Sequence, residues 1–448
     1  MFLGDGMSVP TLMAARTYLG QLQGKPGEEE SLSWEEFPFT GLSKTYCVDY
    51  QVPDSACTAT AYLTGIKANE GTIGVNANVL RGDCKAMTNT SNHVTSIAQW
   101  SLNEGKSAGI VTTTRVTHAS PSGTYARTSQ RDWECDADII ADGYDPTVCA
   151  DIATQLMTTS PGKDFQVILG GGRREFLPNT TVGDEGDYGY RLDGVNLIDT
   201  WKQDKSDRDS SYSYVWNRSG LRKIIDNPDD VDYVLGLFES SHCQYHKEAV
   251  AETEPTLSEM TEAAIKILRK NSNGYFLFVE GGRIDHAHHE NWANLALDET
   301  VEFASAVRVA NELTDESDTL IVVTSDHAHV MSVSGYPVRG NDILGIGGIG
   351  DDNLPYMTLS YANGPAYEAQ INGTRYDLTD DDFTDPTYGY PAMVPRDSET
   401  HGGDDVAIFA RGPWSHLFTG TVEQHTIPHF MAYASCVGTG LTACTKQT

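Results

Sequence analysis

The chain has 448 residues, 39% of them hydrophobic, and a formal net charge of −32 at pH 7. That hydrophobic share belongs to a folded chain with a sizeable core, and the length allows one large domain or two or three ordinary ones. So negative a field excludes nucleic acid and anionic lipid as general partners, and an anionic substrate would need a local basic group.

In chain order, Phe2-Leu3 reads as the end of a strand running into the turn Gly4-Asp5-Gly6. The natural chain is therefore expected to begin earlier, and this opening carries no signal-peptide pattern. A helix is expected from about Val9, with Pro10 in its first turn and Leu12, Met13, Ala14, Ala15 and Leu19 as its apolar positions. Residues 21–35 are polar and read as a surface loop. Pro53-Asp54-Ser55-Ala56-Cys57-Thr58-Ala59 starts with proline and continues in small residues. That is a helix N-terminus whose body packs closely on a sheet.

Strands are expected at 107–114, 165–169, 231–238, 276–280, 319–324 and 404–410, with a helix at 260–269. Such alternation predicts an α/β domain whose mostly parallel sheet is covered on both faces. Residues 335–399 depart from it: they are rich in Gly, Asp, Pro and Tyr without helical period. They read as an irregular insertion in an α/β domain made of 1–334 and 400–448. No run of about 18 apolar residues predicts a spanning helix, and the C-terminus shows no hydrophobic anchor signal.

The chemistry collects at the strand ends. Asp5 follows the first strand, and His118 and Ser120 follow the strand at 107–114. Glu280, Asp285 and His289 follow Phe276–Val279, Asp326, His327 and His329 follow the strand at 319–324, and His401 precedes the last one. Asp285 and His289, four apart, share one face of any helix starting there and could grip one cation. Asp326-His327 alone would as readily be a helix cap beside a surface histidine. Five segments with ligand-type residues at one kind of position converge in a parallel sheet. Three histidines with acids suit zinc, and an all-oxygen set suits magnesium. Ser55 sits where backbone N–H groups and the helix dipole favour an anion, and a nearby zinc would activate its hydroxyl; its plainer fate is an N-cap. Arg131, which the sequence alone does not single out, could hold two phosphate oxygens with its planar fork, or pair with Asp132 or Asp136.

Eight cysteines and four sequons, at Asn89, Asn179, Asn217 and Asn372, favour a secreted, oxidising setting.

These segments resemble animal alkaline phosphatases. The resemblance is carried by Phe2-Leu3-Gly4-Asp5-Gly6-Met7, by Val52-Pro53-Asp54-Ser55-Ala56, and by Thr114-Arg115-Val116-Thr117-His118-Ala119-Ser120-Pro121. Val279-Glu280-Gly281-Gly282-Arg283-Ile284-Asp285-His286, Ser325-Asp326-His327-Ala328-His329 and Glu399-Thr400-His401-Gly402-Gly403-Asp404 carry it further, over essentially the whole chain. It implies a three-layer α/β/α fold and hydrolysis of phosphate monoesters through a covalent phosphoserine on Ser55, with two zinc ions and one magnesium. Asp285, His289 and His401 match the first zinc site; Asp5, Asp326 and His327 match the second; Asp5, Ser120 and Glu280 match the magnesium site. Arg131 matches the phosphate-clamping arginine. His118 and His286 match residues near the magnesium and the phosphate, His329 a residue behind the ligands, and His288 nothing.

The family's calcium site is matched by Phe238, through its carbonyl, and by Glu239. Glu254 stands where the family usually has Asp, and Glu185 falls in a loop that aligns loosely. Cys84 with Cys149 and Cys436 with Cys444 match family disulfides. Cys47, Cys57, Cys135 and Cys243 have no partner in that pattern, and Cys57 is expected as a buried thiol. The 335–399 insertion falls at the family's crown domain, near the dimer interface, so the expected partners are a second copy and small phosphate monoesters. Other readings are a phosphodiesterase or sulfatase of the same metal architecture, or a non-catalytic surface glycoprotein serving as a receptor. Ser55-Ala56-Cys57-Thr58-Ala59 lacks the sulfatase pattern Cys/Ser-x-Pro-x-Arg.

Overall fold

The computed structural model describes residues 1–370 and 373–444, with the backbone alone at Cys444. Ten strands form one sheet: β1 (Phe2–Gly4), β2 (Phe39–Lys44), β3 (Ser107–Arg115), β4 (Val167–Gly171), β5 (Tyr212–Val215), β6 (Tyr233–Leu237), β7 (Tyr275–Gly281), β8 (Ile321–Thr324), β15 (Val406–Arg411) and β16 (Gly420–Glu423). Their order is β16-β2-β15-β8-β1-β7-β3-β4-β6-β5. Pairing is parallel except at β15, which runs antiparallel to both its neighbours. Short β9 (Ala328–His329) pairs with β14 (His401–Gly402), β10 (Met331–Val333) with β13 (Leu359–Tyr361), and β11 (Ile346–Ile349) with β12 (Pro355–Met357).

Each central strand is apolar on both faces because helices cover both. Leu277 and Val279 of β7 pack with helix α1 (Val9–Leu22) and the helices Leu257–Leu268 and Ala293–Leu313, whereas Phe276 and Phe278 pack on the other side with α2 (Ser55–Thr64) and the helix Ile427–Ser435. This is the expected three-layer architecture. Every residue of α2 is buried, and its Ala56, Ala59 and Ala61 let it lie close against its neighbours. The strands β2, β5 and β16 and the helix Ala293–Leu313 lie outside the elements expected from sequence. The edge strands β5 and β16 are partly exposed and carry no uniform apolar run, which is why pattern alone passes over them.

β1 lies between β7 and β8 in the middle of the sheet, not at an edge. From it the chain goes to β2 on one side and returns to β3 on the other. A crevice opens at the carboxyl ends of strands that part in this way. Among its described residues, segment 335–399 supplies no strand to the ten-stranded sheet.

Cys84 and Cys149 form a disulfide, as the resemblance implies. Cys57 corrects the expectation: it is bonded to Cys47, and it is Cys135 and Cys243 that are free and buried. The turn at 47–57 brings the two Cα atoms within 5.8 Å, a proximity no spacing rule foretold. The Cys436–Cys444 pairing involves a side chain outside the described residues.

Candidate active site

Asp54, not Ser55, caps α2. Its Oδ2 accepts from Ala56 N at 3.2 Å, and its Oδ1 accepts from Cys57 N at 3.1 Å and Gly71 N at 3.0 Å. Ser55 is thereby freed from capping and occupies the first helical position, its Oγ 3.1 Å from His327 Nε2. Arg131 donates through Nη1 to Asp54 Oδ2 at 3.0 Å and brings Nη2 to 3.3 Å from His118 Nε2. It takes neither of the partners considered from sequence; Asp132 pairs with Arg81 and Asp136 lies nearest Arg191. The acid that caps the helix therefore also aims the arginine at the same helix end.

Asp285 and His289 lie on one short helix, Arg283–His289, as their spacing requires. Asp285 Oδ1 lies 3.4 Å from His289 Nε2, 3.3 Å from His401 Nε2 and 2.7 Å from His329 Nε2. His401 arrives through the β14–β9 pair, where it stands opposite His329. His289 donates through Nδ1 to Glu399 O at 2.6 Å, and His401 through Nδ1 to Pro53 O at 2.8 Å. A carbonyl only accepts, so both Nδ1 atoms carry the proton and both Nε2 atoms present lone pairs. Those two Nε2 atoms face each other at 3.1 Å. Two lone pairs beside a carboxylate repel, and a cation between them removes the conflict. His329 is different. Burial works against its charged form, but Glu399 and Asp285 outweigh that and raise it to about 10, so it stands as a charged partner of both acids.

Asp5, Asp326 and His327 form a second group, all fully buried. His327 Nε2 lies 3.2 Å from Asp326 Oδ2 and 3.5 Å from Asp5 Oδ1. Burial holds this imidazole neutral. Asp326 Oδ1 accepts from Gly6 N and His327 N, both at 2.9 Å, which fixes the turn after β1. Gly6 has φ +66°, and a Cβ there would meet His329 Cδ2 at 2.3 Å, so only glycine fits.

Asp5, Glu280 and His118 bring ligand atoms together in a third group. Glu280 accepts from Thr112 Oγ1 and, at 3.1 Å, from Thr114 Oγ1. Ser120 lies in the short helix Ala119–Ser122 that follows β3. Both oxygens of Asp5, Oδ2 of Asp326, Oε1 of Glu280 and Oγ of Ser120 are buried without a hydrogen-bond partner. Burial first, then the neighbouring acids Asp326, Asp285 and Glu280, push Asp5 well above the carboxylate range. Glu280 is pushed up to about 7, chiefly by burial. Asp285 goes the other way: burial raises it, but His289, His329 and His401 hold it well below the usual range. Buried anions stripped of partners fit a site built for cations.

Near the other candidate cluster, Glu254 Oε2 is buried without a partner, and burial followed by Glu239 raises its carboxyl to about 8. Glu185 pairs with Arg173 and also feels Glu239; Phe238 is buried in the loop end of β6 that leads into Glu239. His288 is a satisfied core histidine, bonded to Tyr361 OH at 2.8 Å and Thr11 Oγ1 at 3.0 Å. Asn89 and Asn179 are exposed and Asn217 is half-buried, its Oδ1 capping the helix Arg218–Asp226; Asn372 lies outside the described residues.

Sequence reasoning passed over Thr112 and Thr114, Glu399, the carbonyls of Pro53 and Glu399, and His242. Thr112 stands in register with Glu280 across β3 and β7, a fact only strand pairing supplies. A cavity of about 1120 Å³ lies elsewhere, lined by residues of 334–393 such as Tyr356, Met357, Tyr367, Tyr376 and Tyr388, and by none of the groups above.

Residues 1–437 match the family model described as alkaline phosphatase. Over 446 residues the chain is 56% identical to the membrane-bound alkaline phosphatase of Bombyx mori, covering 99% of this chain and 81% of that one. It is 48% identical to the human tissue-nonspecific alkaline phosphatase, covering 99% and 84%. A solved histidine-to-glutamate mutant of the alkaline phosphatase from the Antarctic bacterium TAB5, with Mg bound in its M3 site, shares the fold at TM-score 0.66 and 19% identity, covering 98% and 97%.

Proposed function

The chain belongs to the alkaline phosphatase family and is a phosphatase acting on phosphate monoesters; we propose that it works through a covalent phosphoserine on Ser55, with two zinc ions and one magnesium. Asp285, His289 and His401 would hold one zinc, Asp5, Asp326 and His327 the other, and Asp5, Ser120 and Glu280 the magnesium. The single observation that carries this reading is the set of acceptors aimed at one another: His289 Nε2 against His401 Nε2 at 3.1 Å, and His327 Nε2 against Asp326 Oδ2 at 3.2 Å. Nitrogen lone pairs with carboxylates are the donor chemistry of zinc, and the orphaned oxygens of Asp5, Ser120 and Glu280 are that of magnesium.

When bound, the ions supply the positive charge that lowers the pKa of a hydroxyl or a water and stabilises both oxygens of an in-line displacement. The protein does the rest. The start of α2 points Ser55 Oγ at the phosphorus, with helix N–H groups behind it to favour the anion. Arg131, preset by Asp54, takes two phosphate oxygens in its fork. His118 and His286 line the phosphate beside it. Ser55 forms the new P–O bond as the ester oxygen leaves with a proton, and water then splits the phosphoserine to return serine and inorganic phosphate.

Ser55→Ala should abolish turnover by roughly three orders of magnitude or more, and should abolish incorporation of radiolabelled phosphate. Retention of both would sink the nucleophile assignment. Parallel assays on a monoester, a diester and a sulfate ester separate the same metal architecture's other activities, and metal analysis that finds no zinc would favour a receptor.

The reading extends to the rest of the chain. Segment 335–399 is a crown-like insertion near the interface of a homodimer. Glu185, the Phe238 carbonyl, Glu239 and Glu254 take calcium, for which the buried, unpartnered Glu254 Oε2 speaks. The protein is a secreted or extracellular glycoprotein carrying sugar at its sequons, consistent with two disulfides in the described residues. Among the described residues no helix is long and apolar enough to cross a membrane.

A further inference from the structure

His242 belongs to none of the motifs above. It stands in the loop after β6, held there because Cys243 N donates to Thr113 O at 3.0 Å. Its ring centroid lies 4.3 Å from that of His286 and 5.3 Å from that of His118, with His118 and His286 themselves 5.3 Å apart. Interplanar angles of 64°, 85° and 75° make this an edge-packed trio, each ring bracing the other two.

Each ring also meets an arginine. Arg115 approaches both nitrogens of His242, its backbone N–H at Nδ1 (3.2 Å) and its guanidinium at Nε2 (2.6 Å). Both partners are donors and a neutral imidazole carries one acceptor nitrogen, so His242 accepts from one of them, and a second ring proton would face a donor. Arg115 is itself locked by Glu134, at 2.8 Å and 2.6 Å, and by Ser241 Oγ at 3.1 Å. Arg283 Nη1 donates to His286 Nδ1 at 2.9 Å, and Arg131 Nη2 faces His118 Nε2 at 3.3 Å. His286 Nδ1 and His118 Nε2 therefore accept, which fixes the proton of His286 on Nε2 and that of His118 on Nδ1.

We propose that His242 is a positioning residue of the phosphate site, whose ring holds His286 and His118 in the orientation that receives the phosphate. The inference rests on the reading that phosphate lies between Ser55 and Arg131. Without the ring, His286 and His118 lose a common wall and can turn, and a group misplaced by a fraction of an ångström binds its ligand less well. The reacting oxygens and the nucleophile do not touch His242, so the loss should appear in binding more than in turnover.

The test uses the metal-loaded enzyme, a monoester substrate and inorganic phosphate as competitive inhibitor. In His242→Ala, KM and the phosphate inhibition constant should both rise by about tenfold while kcat falls less than about threefold. His242→Phe keeps the ring contacts without the ring nitrogens and should return both constants to within about threefold of the parent. His242→Asn keeps an acceptor for the Arg115 N–H without the ring and should behave like alanine. Unchanged constants in His242→Ala overturn the proposal, as does rescue by Asn and not by Phe, which would make the residue a strut for Arg115 alone. Thermal unfolding of all three variants separates misfolding from misplacement: loss of binding matched by equal unfolding in Phe and Ala also overturns it. A parent enzyme that inorganic phosphate does not inhibit at all would overturn the phosphate-site reading, and the role of His242 with it.

Discussion

Two regions of this molecule use the same residue type in opposite ways. In segment 335–399, Asp377, Asp382 and Asp385 each accept from the N–H and hydroxyl of the threonine two residues on. Those local bonds favour the ionised form, and the side-chain bond from the threonine lowers Asp377 and Asp382 below the usual carboxylate range. At the strand ends, Asp5 has no hydrogen bond on either oxygen, and burial with three neighbouring acids raises it. A carboxylate satisfied by its own chain neighbours shapes a loop. One that is buried and orphaned suits a cation, and that difference marks the candidate site.

The largest effect that could break this contrast is on metal. On the proposal that its side chain feeds two sites, Asp5→Asn should cost activity by about a thousandfold and lower bound metal per chain. Full metal content in that variant would refute the shared role. Next comes pH. Glu280 sits near 7 in the folded, metal-free protein against 4.5 when unfolded. Between those values the unfolded chain has lost a proton that the folded one keeps, so stability without metal falls as pH rises through that window. Chelation should therefore lower the melting temperature more at about pH 8 than at about pH 5, since metal binding also needs deprotonated ligands. Equal shifts would show that burial does not hold Glu280 protonated in the folded, metal-free protein.

The staple beside the nucleophile ranks third. Cys47 and Cys57 close a loop with a sequence separation of 10. Replacing both by serine should cost about 2–3 kcal/mol in chemical denaturation, from the entropy restored to the unfolded chain. Thr114→Val removes one of two hydroxyls that hold Glu280 and should reduce activity by several fold, partly recovered by excess magnesium. Smallest is Asp382→Asn, which in an exposed loop should leave both the melting temperature and turnover essentially unaltered. An effect as large as that of Asp5→Asn would erase the contrast.

Much of the site was legible because ligand chemistry has residue types and because parallel strands end on one side. Asp285 with His289 follows from helical spacing, and Asp326-His327 from its place after an apolar strand. Other parts depend on contacts between distant segments. The threonines that hold Glu280 are visible only once β3 and β7 are in register. The proton positions of His289 and His401 are set by the carbonyls of Glu399 and Pro53, which lie 110 and 348 residues from the rings they fix. His242 lies in a loop with no motif at all.

The sequence by itself determined the layered α/β architecture, through apolar runs alternating with helical period, and which acids and histidines stand at the strand ends, through residue type and order. Tertiary structure decided three further things: that Asp54 rather than Ser55 caps the helix, that Cys57 bonds Cys47, and that Arg131 turns to Asp54 rather than to its neighbour Asp132. Each is a choice among partners of equal chemistry, and only distance in the folded chain makes that choice.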